Sequence, residues 1–344
     1  MQYKGFLFVL ISLFGAYFLA STLSEVGKYS NSLDSKKIKG INFVAPVNEI
    51  GLEHLNSIDR IAANWISIIP YAYTPSGESR VIFYRKHPHW WGEGLEGAVT
   101  QIALAKKKGL KVMLKPQVWV IGDGWPGEFS CTNEADWKIW EKDFAHYILT
   151  YAGICDSLDV DLLCIGTEYR KAVIERPEFW KQLIDQVRTI YKGKLTYAAN
   201  WDNYSNVSFW ADLDYIGIDA YFPLSDLKTP SVQELKSAWS ARMDELAAFC
   251  QHENKQIIFT EYGYRSCDYN ARKPWMEKSM IQVNEVAQVN AYSAFYESVW
   301  AEEWMAGGFL WKWFADDQKA GGKEDANFTP QNKEAEAVVL RYYQ

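Results

Sequence analysis

The sequence predicts an α/β fold in which one domain forms a closed barrel of eight parallel strands. From Lys39 onward, short apolar runs alternate with amphipathic helical stretches, which is typical of repeated βα units around a parallel sheet. Eight such runs can be counted, and the 344-residue chain has room for the roughly 250 residues of a barrel plus insertions. Polar and aromatic residues gather just after the runs, as they do at the functional end of a barrel. Together these observations predict a single (β/α)8, or TIM, barrel.

Each predicted strand is a short apolar run that ends in polar or aromatic residues. The strands are expected at Gly40–Ala45, Trp65–Tyr71, Leu110–Pro116, Asp161–Glu168, Leu195–Asn200, Tyr215–Tyr221, Gln256–Glu261 and Gly308–Trp313. The helices between them are clearest at Leu95–Lys108, Glu134–Leu149, Glu178–Tyr191, Val232–His252 and Gln282–Glu303. Asn133 and Ser231 are residue types that cap helix N-termini, and Gly109 and Gly193 are expected to end helices.

An open, doubly wound sheet would also alternate strands and helices. A dinucleotide-binding sheet of that kind carries G-x-G-x-x-G after its first strand, and no such motif follows residues 40–45. No second domain, internal repeat or low-complexity tract is evident. The segments Thr74–Gly94 and Gly122–Thr132 are long enough to form the walls of a cleft, and we expect them to do so.

Composition and charge exclude several classes of function. Apolar residues make up 48% of the chain, which is enough for a large core and argues against disorder. The formal net charge of -7 argues against a nucleic-acid partner, which would require clustered Lys and Arg. The chain has 16 Trp, and flat apolar rings suit the CH-rich faces of sugars. This surplus indicates a sugar-binding cleft, although part of it belongs to the core.

No metal or cofactor site is predicted. The five Cys are odd in number, form no C-x-x-C and lack metal-ligand spacing. A disulfide would require export and is not favoured. His87 and His89 stand two residues apart in a loop without a further His or Cys cluster, so they are weak ligands.

The N-terminus predicts export. Lys4 precedes an uncharged stretch at residues 5–20, which polar residues follow, and this order matches a signal peptide. Residues 18–21 are a poor cleavage signal, so an uncleaved membrane anchor through residues 5–20 stays an alternative. We expect a signal peptide or anchor at residues 1–24, a linker at 25–37 and a catalytic domain at 38–344.

Two glutamates at matching strand ends give the sharpest functional signal. Glu168 ends the fourth predicted strand and Glu261 ends the seventh. A carboxylate emerging from a core is costly to desolvate, so two in matching positions indicate chemistry. Across a barrel mouth the two strand ends face each other, and glycoside hydrolysis requires a pair of facing carboxyl groups. The alternative is that both acids pair with Arg or Lys at the rim.

Other strand ends supply candidate substrate-binding residues. They are Lys115, Gln117, Trp119, Thr167, Asn200, Trp201, Asp219, Tyr221, Trp311 and Trp313. Amide, ammonium and hydroxyl groups can hydrogen-bond sugar hydroxyls, and Trp311 or Trp313 can floor a subsite. Tyr221 can donate a hydrogen bond to a nucleophilic carboxylate and keep it ionised. For each of these residues, packing at the rim is the alternative, and for Asp219 structural pairing is as well supported as sugar contact.

Five stretches of the chain, taken together, carry a family resemblance: Gly109–Pro116, Ile165–Glu168, Leu195–Trp201, Asp214–Phe222 and Phe259–Tyr264. Through them the chain resembles clan A glycoside hydrolases and, more narrowly, glycoside hydrolase family 113. The resemblance implies that Glu168 is the acid/base and Glu261 the nucleophile. Most clan members have Asn before the acid/base to contact the sugar 2-hydroxyl, whereas Thr167 stands here.

The expected activity is therefore hydrolysis of β-1,4-mannosidic linkages in mannan or manno-oligosaccharides by a retaining double displacement. Retention requires carboxyl groups about 5–5.5 Å apart, whereas about 6.5–9.5 Å indicates inversion. The alternatives are a retaining hydrolase of another β-linked glycan, such as a glucan or an amino-sugar polymer, or a non-catalytic glycan-binding barrel. A polysaccharide or oligosaccharide is the expected partner, and a monomer is favoured.

Overall fold

The computed structural model describes residues 37–122, 124–276 and 282–344. The predicted signal or anchor segment at 1–24 and all but the last residue of the predicted linker lie outside the described residues. Export and membrane attachment through residues 5–20 stay predictions. No helix within the described ranges is both long and apolar enough to cross a membrane.

The described residues form a closed barrel of eight parallel strands and a small second sheet. In chain order the strands are β1 (Ile38–Phe43), β2 (Trp65–Ile68), β3 (Tyr71–Thr74), β4 (Ile82–Phe83), β5 (Lys111–Leu114), β6 (Gln117–Val120), β7 (Leu162–Thr167), β8 (Lys194–Asn200), β9 (Ile216–Asp219), β10 (Ile257–Tyr262) and β11 (Met305–Trp313). The barrel order is β1-β11-β10-β9-β8-β7-β5-β2, and β4-β3-β6 form the second sheet. The predicted barrel is confirmed.

Helices cover the outside of the barrel. They are α1 (Leu95–Lys107), α2 (Glu134–Ser157), α3 (Arg170–Glu175), α4 (Pro177–Ile190), α5 (Val232–Glu253), α6 (Glu285–Ser298) and α7 (Glu334–Tyr343). After β1 a ten-residue 3-10 helix (Leu52–Ile61) takes the place of an α-helix, and after β8 two three-residue 3-10 turns do so.

Local sequence signals mark several helix ends. The Asn133 side chain accepts the Asp136 N–H, and Ser231 forms a reciprocal capping box with Glu234. Gly109 follows α1 with a φ of 84°, a left-handed conformation that glycine adopts without steric cost. Gly193 does not end a helix in this way, since α4 already stops at Ile190 before an extended residue.

Two of the predicted strands each span a break that separates two shorter strands in the structure. Trp65–Tyr71 and Leu110–Pro116 each break near a proline, Pro70 or Pro116, which has no N–H to donate to a ladder. The chain then resumes as β3 and β6, which pair in parallel with Tyr71 opposite Gln117. The second sheet therefore extends the carboxyl end of the barrel on one side.

The core has two layers. Seven buried side chains, among them Met113, Cys164 and Phe309, fill a cluster of their own. A larger cluster packs the outer faces of the strands against the helices. Cys164 is thus a small core hydrophobe, and all five cysteines are free.

Candidate active site

A cavity of about 670 Å³ opens at the carboxyl ends of the barrel strands. Nine of the twelve predicted site residues line it: Gln117, Trp119, Thr167, Glu168, Asn200, Trp201, Tyr221, Glu261 and Trp311. The structure therefore brings both candidate carboxyl groups into one space, on the fourth and seventh strands of the barrel.

Glu261 lies on β10 at a local irregularity of the sheet. The pairing register of β10 with β9 shifts between Phe259 and Glu261, which places Glu261 opposite Asp219. Such bulges re-aim side chains and are frequent beside active sites. The Glu261 residue is only 6% exposed, yet it lines the cavity.

Three donors surround the Glu261 carboxylate. The Lys115 ammonium and the Gln117 amide, the latter at 3.1 Å, both donate to Oε1. The Tyr221 hydroxyl donates to Oε2 at 2.7 Å. Burial, and then the charge of Glu261, raise the pKa of Tyr221 well above its usual value, so the phenol keeps its proton. Negative charge on Glu261 is thus stabilised on both oxygens.

Lys115 and Asp219 form a layer beneath Glu261. Both side chains are fully buried, and the ammonium lies 3.3 Å from Asp219 Oδ1, which also accepts the Thr260 hydroxyl at 2.7 Å. Burial alone would lower the pKa of Lys115, but the charges of Asp219 and Glu261 outweigh it and raise that pKa. Burial and the charge of Glu261 raise the pKa of Asp219 to about 7.

The predicted sugar contacts of Lys115 and Asp219 are therefore wrong. Neither side chain lines the cavity, because each is enclosed below Glu261. Structural pairing, the stated alternative for Asp219, is what the structure has. The alternative for the two glutamates was that both pair with Arg or Lys at the rim. Glu261 does pair with Lys115, but this lysine is buried below the cavity and does not lie at the rim.

Glu168 is the first residue after β7 and has a left-handed backbone. Its φ is 55°, which costs a non-glycine residue on the order of 1–3 kcal/mol and is found at active sites as well as at turns and helix ends. The Glu168 N–H donates to the Ala198 carbonyl at 2.8 Å, and the Glu168 carbonyl accepts the Arg170 N–H at 2.8 Å. In regular strand geometry Thr167 and Glu168 would face opposite sides, whereas both line the cavity.

The Glu168 carboxyl has a different environment from that of Glu261. Its Oε2 accepts one hydrogen bond, from the Trp125 indole N–H at 2.7 Å. Burial, and then the negative charges of Asp219 and Glu261, raise the pKa of Glu168 well above its usual value. At neutral pH this favours the protonated acid.

Aromatic residues form the cavity walls. Trp119 is 50% exposed, and the ring of Trp201 stacks on Trp275 with centroids 5.3 Å apart. Trp311 lines the cavity, but the prediction for Trp313 is wrong. Trp313 is fully buried and its indole N–H donates to Ser57 at 2.9 Å. The register of β11 on β1 shifts between the two tryptophans, so they do not share a face.

Some residues of the cavity were missed or left open by sequence reasoning. Trp125 was expected only as part of the wall segment Gly122–Thr132, and Tyr71, Arg170, Trp275 and Phe328 were not predicted at all. Four residues of the segment Gly122–Thr132 line the cavity, as expected of a wall: Gly122, Gly124, Trp125 and Pro126. No residue of the segment Thr74–Gly94 lines the cavity, so this segment does not form the expected wall. Its β4 pairs with β3 in the second sheet. Trp275 and Phe328 come from distant loops and carry no local signal.

No group of three or more His, Cys, Asp or Glu side chains with metal-binding geometry occurs in the part of the chain that the structure describes. The cavity offers the two glutamates, the Asp202–Arg170 ion pair, hydrogen-bond donors and aromatic rings.

Comparisons with known proteins agree with this geometry. Residues 47–333 match the model of Glycoside Hydrolase Family 113. Among solved structures, the GH113 β-mannanase AaManA from Alicyclobacillus acidocaldarius, in complex with ManMIm, is similar at 26% identity and a TM-score of 0.77, over 90% of this chain and 98% of that one. A GH113 β-1,4-mannanase complex is similar at 25% identity and a TM-score of 0.77, over 90% and 99% of the two chains.

A more distant structure shares the fold alone. A β-glucuronidase from Ruminococcus gnavus is 14% identical with a TM-score of 0.59, over 90% of this chain and 50% of that one. No curated protein sequence matches the chain.

Proposed function

Because the chain belongs to glycoside hydrolase family 113 and is therefore a glycoside hydrolase, we propose that it cleaves β-1,4-mannosidic linkages in mannan or manno-oligosaccharides with retention of anomeric configuration. The similar solved structures are named as β-mannanases, one of them as a β-1,4-mannanase, which supports the choice of sugar and linkage. We assign Glu168 as the acid/base and Glu261 as the nucleophile.

The unequal surroundings of the two carboxyl groups carry this proposal. Glu261 receives hydrogen bonds from an ammonium, an amide and a phenol. Glu168 receives one neutral N–H and has a raised pKa. A retaining glycosidase needs one ionised and one protonated carboxyl group in the resting enzyme.

In the first step, a carboxylate oxygen of Glu261 attacks the anomeric carbon. The glycosidic C–O bond breaks, and the Glu168 proton passes to the departing oxygen. The Lys115 ammonium stays next to Glu261 as charge moves from the carboxylate into the new ester. In the second step, Glu168 takes a proton from water, whose oxygen attacks the anomeric carbon and releases Glu261.

The remaining cavity residues suit a bound sugar chain. Gln117 and Asn200 offer amide groups to hydroxyls. Trp119, Trp201 and Trp311 offer flat faces for stacking. Asp202 also lines the cavity, but it pairs with Arg170 at 3.3 Å. This pairing makes Asp202 a weak attraction for a cationic amino sugar, so the neutral mannan stays the better substrate.

Product analysis tests the substrate. The enzyme should release shorter manno-oligosaccharides from mannan and from mannohexaose, separated by chromatography, and should leave a matched β-1,4-glucan largely intact. Proton NMR during mannohexaose cleavage should show new reducing ends first as the β-anomer. Preferred cleavage of the glucan would overturn the substrate, and α-anomer formed first would overturn retention.

A further inference from the structure

The contact between Trp125 and Glu168 suggests a role beyond lining the cavity, and this role rests on the proposed function. The indole N–H of Trp125 donates to Oε2 of Glu168 at 2.7 Å. An indole nitrogen is a donor only and can never accept a proton from the acid. In a protonated carboxyl group the carbonyl oxygen is the better acceptor, so this hydrogen bond favours Oε2 as the carbonyl oxygen and Oε1 as the oxygen that carries the proton.

Neighbouring residues hold the indole in this place. The Arg170 guanidinium lies over the Trp125 ring, 5.2 Å from its centroid. Arg170 pairs with Glu128, three residues after Trp125, and with Asp202 at 3.3 Å. The ring also packs against Gly127, where an added Cβ would lie 2.1 Å from Cζ2 of Trp125. The indole thus contacts both a charge-paired guanidinium and the backbone of its own turn.

Arg170 also couples this arrangement to the acid itself. It begins α3 two residues after Glu168, and its backbone N–H donates to the Glu168 carbonyl. One residue therefore contacts the strained backbone of Glu168 and the ring that binds the Glu168 side chain. Arg170 therefore helps to position both the side chain and the main chain of Glu168.

We propose that Trp125 is a positioning residue that selects which oxygen of Glu168 carries the catalytic proton. In the first step, the proton on Oε1 passes to the glycosidic oxygen as that C–O bond breaks, and Glu168 is left as a carboxylate. The indole N–H stabilises the new charge on Oε2. In the second step, Oε1 takes a proton from the attacking water, so one oxygen serves both transfers.

The Trp125→Phe variant removes the N–H and keeps a ring for Arg170 to cover. For mannan, whose leaving group needs a proton, kcat/KM should fall by about tenfold because the acid is no longer oriented. For a dinitrophenyl mannobioside, whose leaving group needs none, kcat/KM should stay within about twofold of the unaltered enzyme. The basic limb of the kcat/KM profile on mannan should move to higher pH, because the carboxylate loses a donor.

Trp119→Phe is the matched control, since it makes the same change on another cavity tryptophan. It should raise KM for mannan without moving the basic limb. The thermal unfolding midpoint of each variant shows whether it is folded. The positioning role would be overturned if Trp125→Phe lowered kcat/KM equally on both substrates, or if the basic limb of its pH profile did not move. Trp125 would then only line the cavity wall. Failure of the unaltered enzyme on mannan would instead overturn the proposed function, so the two failures are distinguishable.

Discussion

Around Glu261 the protein gathers an ammonium, an amide and a phenol, whereas Glu168 has a single indole N–H and feels the charges of Asp219 and Glu261. Both residues follow buried apolar runs of parallel strands and line the same cavity. The residue type and the strand position therefore do not decide the chemical role. Neighbours from other strands do, because they stabilise charge at one carboxyl group and the bound proton at the other.

Replacement of Glu261 should produce the largest effect. Glu261→Gln keeps the shape of the side chain but removes the attacking oxygen, so kcat should fall by on the order of 10⁴-fold or more on every substrate. Steady-state kinetics on mannan and on a dinitrophenyl mannobioside measure this. If the variant kept its activity on either substrate, Glu261 would not be the nucleophile, and the donors around it would have only a structural role.

Replacement of Glu168 should separate substrates by their leaving groups. Glu168→Ala should lower kcat/KM on mannan by about 10²- to 10⁴-fold, while kcat/KM on a dinitrophenyl mannobioside falls far less. Added azide, which needs no general base, should speed turnover of the activated substrate and yield a β-mannosyl azide. Equal losses on both substrates without an azide product would remove Glu168 from the acid/base role.

The Lys115→Met variant should show that the charge beneath Glu261 is structural as well as electrostatic. It leaves buried carboxyl groups without their cation, so the free energy of unfolding in urea at pH 7 should fall by about 3 kcal/mol. Adding Asp219→Asn to this variant removes one of the uncompensated acids and should restore part of the loss. A single variant as stable as the parent would mean that the ammonium contributes little to the folded state.

A smaller effect should appear in the pH dependence of stability. The raised pKa of Asp219 means that the folded protein holds this proton more tightly than the unfolded chain does. This contribution is complete below pH 3.8, the ordinary pKa, and is lost as pH rises to about 7. Glu168 acts in the same direction, so Glu168→Gln should lessen the fall in unfolding free energy between pH 5 and pH 8. An equally steep fall in that variant would contradict the raised pKa.

The barrel and its two acids could be predicted because their signals are local. Apolar runs gave the eight barrel strands, and a carboxylate after such a run is rare enough to be informative. The breaks at Pro70 and Pro116 also had a local cause. The sequence did not show, however, that a new strand begins after each break and that these two strands pair with each other outside the barrel. That pairing joins residues 71 and 117, which are distant in sequence.

The sequence could not predict in the same way which side chains reach the cavity and which are buried away from it. Lys115 and Gln117 stand two residues apart, yet only Gln117 reaches the cavity surface, because Pro116 breaks the strand between them. Trp311 and Trp313 differ for a similar reason, a shift of register. The pairing of Trp125 with Glu168 joins a loop to a strand end 43 residues away and has no sequence pattern.

Covalent trapping tests the division of roles most directly. A 2-deoxy-2-fluoro-β-mannosyl fluoride slows both steps but has a good leaving group, so the glycosyl-enzyme should accumulate and can be digested and mapped by mass spectrometry. We expect the sugar on the peptide that contains Glu261, and no label on Glu261→Gln. A sugar attached to Glu168, or to any other residue, would contradict the assignment.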